Sequence, residues 1–213
     1  MNIDLGYLAT VFAVILLSMT LHEAMHAYVG YWLGDNTAKN EGRLSLNPIK
    51  HIDPVLTLAL PIILAVIGAP IFGAAKPVPF NPHNIRYGAY GAALIGVAGP
   101  LTNLVLSFVF FALYALLGMP DGFVGTFFNL AVIVNLGFFI FNMIPIPPLD
   151  GSRLLYALAP DGVRRVMEMM EQYGLILVFI VIFFASSLIG QFMSTVMRAI
   201  LQFYGSIFGV HVI

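Results

Sequence analysis

Cysteine is absent from the 213 residues. That excludes disulfides, thiolate catalysis and cysteine-ligated metals. Charge is scarce as well: 9 Lys+Arg and 10 Asp+Glu make up 9 % of the chain, where an ordinary soluble domain carries about 25 %. The two signs nearly cancel, to −1, so no basic face exists for nucleic acid. No fixed-period repeat or low-complexity tract interrupts the chain, and no stretch between its apolar segments is long enough for a soluble domain. What fills the sequence is apolar. Hydrophobic residues make 60 % of it and the mean hydropathy is +0.96, values that belong in a bilayer.

The N-terminal stretch MNIDLGYLATVFAVILLSMTLHEAMHAYVG has no basic leader and no small-residue cleavage site. It reads as a transmembrane helix A, about Leu5 to Leu33, and not as a signal peptide. Segment B, Val55 to Phe72, is apolar but carries Pro61, Gly68 and Pro70. Segment C runs from about Tyr87 to Leu117 and segment D from about Phe123 to Met143, ahead of Pro145, Pro147 and Pro148. Segment E, about Gly174 to Met197, is long enough to cross. Basic residues fall in loops A–B (Lys39, Arg43, Lys50), B–C (Lys76, Arg86) and D–E (Arg153, Arg164, Arg165), and none falls in loop C–D. By the positive-inside rule the three basic loops are cytoplasmic, which requires B to enter and leave on one side; a short crossing helix is the alternative. The expected fold is an all-α polytopic membrane protein. It has about 4–6 transmembrane segments, a re-entrant or short helix and a small interfacial β-hairpin. Residues 1–213 are read as one domain, with a catalytic core of about 5–158 and a C-terminal membrane segment of about 174–200.

His22-Glu23-Ala24-Met25-His26 lies near the cytoplasmic end of helix A. Histidines at i and i+4 share a helix face and can grip one zinc ion. Glu23, beside the first of them, can act as general base. Titratable side chains inside a span each cost about 2.5–3.5 kcal/mol, so three within one turn need a reason. A self-satisfying interfacial cluster or a proton relay is the bland reading. Catalytic zinc needs a third protein ligand. His51 and His83 sit in polar loops, where a histidine is more often solvated, and His211 lies three residues from the C-terminus. Asp150 follows a proline-broken helix end at the depth expected for His22 and His26. It is either the third ligand or the cap of the short segment Gly151–Leu158.

HEAMH, AGPLTN and NMIPIPPLDG together resemble the site-2 protease family of intramembrane zinc metalloproteases. The loop stretches GRLSLNPIKHIDP and FGAAKPVPFNP are similar to the branch common in prokaryotes, here without PDZ or CBS domains. The resemblance runs from about Leu21 to Leu158. It implies that His22, His26 and Asp150 hold Zn²⁺ and that Glu23 is the catalytic base. It further implies that Asn142 serves the substrate or the oxyanion, and that Gly99, Pro100 and Asn103 form a third core motif that is structural or substrate-binding. A transmembrane protein or peptide is the implied substrate, and a lipid bilayer the surroundings. The implied location is a prokaryotic cell membrane with the site toward the cytoplasm; oligomerisation stays open. Gly42–Asn47 alternates in the manner of a strand edge that a substrate could join, or of an ordinary interfacial hairpin. Gly73–Pro82 reads as a gate or as a rigid surface loop. An ion- or proton-coupled transporter would use the same charged residues but should show paired halves, and none is visible. A non-catalytic scaffold would have no need of Glu23.

Overall fold

A computed structural model describes residues 5–67 and 73–211. The order of helices is α1 (Leu5–Trp32), α2 (Thr37–Asn40), α3 (Leu60–Val66), α4 (Gly88–Leu116), α5 (Gly122–Asn142), α6 (Gly151–Leu158), α7 (Asp161–Gln172), α8 (Gly174–Phe184) and α9 (Ser186–Phe208). A 3₁₀ turn at Pro48–Lys50 and a π-helical turn at Pro54–Ala59 lie between α2 and α3. Among the described residues α1, α4 and α5 are the helices long and apolar enough to cross a membrane. They match segments A, C and D to within a residue at each end. Each is a continuous apolar run whose backbone groups bond internally, as lipid requires. Their outer faces carry exposed apolar side chains, among them Leu8 and Phe12 on α1 and Leu101 and Val105 on α4.

Helix α4 is the centre of the assembly and packs against α1, α5, α6 and α9. One core lies where α4, α5 and α9 meet: Phe111, Val132, Leu136, Ile140 and Tyr204 are buried together, and Met193, Met197, Ile200 and Phe208 pack onto them. Ser107 Oγ and Tyr204 Oη, 3.0 Å apart, bond across this layer. On the other side of α4, α6 and the amphipathic α7 are joined by Arg153 Nη1 donating to Glu171 Oε2 (3.1 Å) and by Tyr156 Oη donating to Glu168 (2.6 Å).

The excursion between α1 and α4 is irregular but tied down. Asp35, buried just past α1, accepts from Thr37 N (3.0 Å), Thr37 Oγ1 (2.6 Å) and Asn81 N (2.7 Å). Lys76 N donates to His51 O (2.9 Å), Ala74 N to Leu56 O (3.1 Å), and Arg43 Nη2 to Lys76 O.

Two expectations change. No β-strand, and so no interfacial hairpin, is present among the described residues. Gly42 is left-handed (φ 68°), Ser45 N turns back to Arg43 O (2.9 Å), and the Asn47 side chain caps Ile49 N (3.1 Å). Arg43, Ser45 and Asn47 thus turn their backbone N–H groups to local partners, and the 73–80 stretch meets this excursion through isolated bonds without a ladder. Segment E is not one continuous helix: it breaks at Ala185 into α8 and α9. The 11 residues of α8 reach only about 17 Å at 1.5 Å per residue, short of a bilayer core. Segment B appears as the Pro54–Ala59 turn followed by α3; Gly68, Pro70 and the rest of its expected end at Phe72 lie outside the described residues.

Candidate metal centre

Helix α1 presents His22 and His26 one turn apart toward α4, and the start of α6 brings Asp150 to them. His22 Nε2 lies 3.0 Å from His26 Nε2 and 3.1 Å from Asp150 Oδ2, which is 3.4 Å from His26 Nε2. One donor atom from each of the three residues falls within 4.8 Å of the others. Asp150 makes no side-chain cap bond to α6; its carboxylate is turned to the histidines. Gly151 makes this turn possible, because a Cβ there would meet Met143 O at 2.4 Å.

The far nitrogens of both rings are occupied. His22 Nδ1 lies 2.6 Å from Asn103 Oδ1, and His26 Nδ1 lies 2.7 Å from the Ile95 carbonyl. Both partners are oxygen acceptors, so both Nδ1 atoms donate. The Nε2 lone pairs then point at one another and at a carboxylate, an arrangement that favours a cation at their meeting point. Two imidazoles and one carboxylate are also a donor set that catalytic zinc takes, with a further position left open. The residues therefore fit the ion.

The remaining residues singled out in the sequence are placed as follows. Glu23 is half-buried on α1, and its carboxylate forms no hydrogen bond to a described residue. Asn103 is fully buried against His22. Asn142, at the end of α5, donates from Nδ2 to Phe138 O in its own helix (3.0 Å), and no hydrogen bond joins it to the three clustered side chains. Pro100 and Gly99 lie on the α4 face that receives α1: a Cβ at residue 99 would stand 2.4 Å from His26 Nε2. His83 and His211 are exposed. His51 is buried instead of solvated, with Nε2 donating to Ser45 O (2.8 Å), and it stands outside the metal group.

Sequence reasoning passed over Ser18 and Asn135, both buried beside Asn103. The signal was available, since polar side chains inside apolar spans mark pathways or sites. The Ile95 carbonyl carries no side-chain signal at all.

The model of peptidase family M50 matches residues 118–186, the stretch that holds Asn142 and Asp150. A Bacillus subtilis protein named "Putative zinc metalloprotease YwhC" is 43% identical over 177 residues, covering 79% of this chain and 77% of that protein. Two proteins named "Putative zinc metalloprotease Rip2" are similar too. The one from Mycolicibacterium smegmatis is 30% identical (83% of this chain, 68% of that protein), and the one from Mycobacterium tuberculosis is 31% identical (90% and 73%). No solved structure matches the chain. The sequence likeness extends over most of both partners, and the donor set is one that zinc takes: this chain belongs to peptidase family M50, the site-2 protease family of zinc metalloproteases.

Proposed function

We propose that the protein is an intramembrane endopeptidase that cuts transmembrane substrates near the cytoplasmic face, with His22, His26 and Asp150 holding the zinc. The observation that carries the reading is the convergence of Asp150 on His22 and His26, the two histidines that flank Glu23 in the apolar helix α1. When bound, zinc supplies Lewis acidity, which polarises a carbonyl and makes water more acidic. Glu23 follows His22 directly and points about 100° away around the helix, so it is free of the donor cluster. Its carboxylate takes the proton of the attacking water and returns it to the leaving amine. Asn103, fully buried, is assigned to orienting His22 and not to substrate. Asn142 is the last residue of α5, and release of its bond to Phe138 O frees Nδ2 to donate to the substrate.

Residues 5–158 form the proposed catalytic core. The site lies about 25 Å along α1 from Leu5, at 1.5 Å per residue, on the side of the basic loops. Bonds joining Thr57 Oγ1 to Ala74 O (2.7 Å) and His51 O to Lys76 N (2.9 Å) support a re-entrant segment B, because they tie its entry to its exit. The fourth passage is the broken pair α8–α9, which starts beyond α7 and ends with Phe208 against Phe108 and Phe111 of α4.

The test joins metal analysis with cleavage of a single-span substrate in liposomes. Wild type holds about one zinc, and Asp150→Ala loses most of it. Glu23→Gln keeps fold and zinc while cleavage drops by roughly 10²-fold or more. Stripping the zinc with a chelator abolishes cleavage, and added zinc restores it. Full cleavage by Glu23→Gln would overturn the assignment of the base.

A further inference from the structure

We infer that Asn135, on α5, is a positioning residue that sets the tautomer of His22 from two hydrogen bonds away, through Asn103. This deepens the metalloprotease reading and rests on His22 being a zinc ligand through Nε2.

The chain of bonds crosses three helices. Asn135 Nδ2 donates to Ala131 O (2.8 Å) and to Ser18 Oγ (2.9 Å). Asn135 Oδ1 accepts from Asn103 Nδ2 (2.8 Å), which also donates to Ser18 O (3.3 Å). Asn103 Oδ1 then accepts from His22 Nδ1 (2.6 Å). Asn103, Asn135 and Ser18 are all within 1 % of full burial, so water does not compete for these groups.

Direction follows from the ends of the chain. A main-chain carbonyl can only accept. Ala131 O therefore fixes the NH₂ end of the Asn135 amide toward its own helix, and Oδ1 faces Asn103. Facing that oxygen and the carbonyl of Ser18, the Asn103 amide must turn its own NH₂ to both, which leaves Oδ1 toward His22. An amide oxygen cannot donate, so the proton of a neutral His22 resides on Nδ1 and the lone pair on Nε2, where His26 and Asp150 converge. Ser18 serves twice, by Oγ and by its carbonyl, and it stands one turn before His22 on α1. The network thus locks the rotation of α1 against α4 and α5 as well as the ring. A leucine at residue 135 would fill the same space with none of this directionality. Only the longer bond to Ser18 O (3.3 Å) would then hold the Asn103 amide, which could reverse, offering NH₂ to His22 and drawing the lone pair to Nδ1.

The experiment uses the full chain, with ¹⁵N-labelled histidine, in two measurements. Imidazole nitrogen shifts of the zinc-free protein at alkaline pH report the tautomer, with His22→Ala assigning the signal among the five histidines. Competition with a chelator reports the zinc Kd. In wild type the His22 signal should show a protonated Nδ1 and a bare Nε2. Asn135→Leu should populate the other tautomer and weaken zinc by roughly 10-fold, at the low end of the loss that outer partners of metal ligands cause. Ser18→Ala, a smaller change, should shift both readouts in the same direction. Ser107→Ala deletes a buried hydrogen bond that joins α4 to α9 through Tyr204, away from the histidines, and should move neither. An unchanged tautomer with a zinc Kd within twofold of wild type, in both Asn135→Leu and Ser18→Ala, overturns the inference. An equal effect of Ser107→Ala overturns it too, since the effect would then be one of general stability. Should wild type bind no zinc and cut no substrate, the protease reading fails by itself, because the tautomer readout needs no metal.

Discussion

At Gly99 a Cβ atom would stand 2.4 Å from His26 Nε2 and 2.7 Å from His22 Nε2, closer than real Cβ contacts come. The two imidazoles lie on bare α4 backbone, and the missing side chain is what lets α1 come that close. Gly99→Ala should therefore push the rings apart and lower zinc affinity by at least roughly 10-fold, comparable to loss of an outer partner, with helix content retained. Metal analysis beside circular dichroism checks this; full zinc in Gly99→Ala would mean that α1 can shift without cost. The meeting of His22 and His26 was legible in sequence because helical spacing alone puts the two histidines on one face. Asp150 was only half legible. Ligand and helix cap are both natural for an aspartate before a short helix, and the choice depends on which way the carboxylate turns. That turn is made by contacts between Gly151 and Met143 and between α6 and α4, both beyond local pattern.

The excursion between α1 and α4 shows an element held by side chains and not by secondary structure. Burial works against ionisation of Asp35, but hydrogen bonds from the Thr37 hydroxyl, the amides of Asn81 and Thr37 and the Asn84 side chain hold its carboxyl below the usual carboxylate range. A depressed folded pKa means stability that is fully present above the unfolded value of about 4 and lost as pH falls through the lower folded value. Wild type should therefore lose melting temperature on acidification from about pH 4 downward, and Asp35→Asn should flatten that dependence. Asp35→Ala at neutral pH should cost about 1.5–3 kcal/mol, the scale of a hydrogen bond to a charged group. Thermal melts in detergent across the pH series read both effects; parallel curves for wild type and Asp35→Asn would remove Asp35 as the source. The break at Ala185 belongs to the same scale. Segment E reads as continuous by hydropathy, and Ser186-Ser187, a pair of the kind that accompanies helix kinks, was the one hint of the division.

For the whole molecule the decisive property is sidedness. Basic residues in three of the four loops, and bonds that tie the entry of segment B to its exit, both support a single cytoplasmic surface. Because the chain has no cysteine, single cysteines can map it. Positions 39, 86 and 165, all exposed, should label from the cytoplasm and position 121 from outside. Labelling of 39 and 86 from opposite faces would make segment B a true crossing. Apolar composition, the extents of α1, α4 and α5 and the HEAMH face were determined by the sequence itself, since each depends on residues within a few turns of one another. Tertiary structure decided the rest. Whether 42–47 forms a hairpin depends on a partner edge, which the described residues do not supply. Whether Asn103 meets substrate or a histidine depends on how α1 and α5 pack on α4. The physical reason is common to these cases: a helix spends its backbone bonds within itself, so its sequence predicts it, whereas a side-chain contact across helices is fixed only when the packing that brings both partners together is in place.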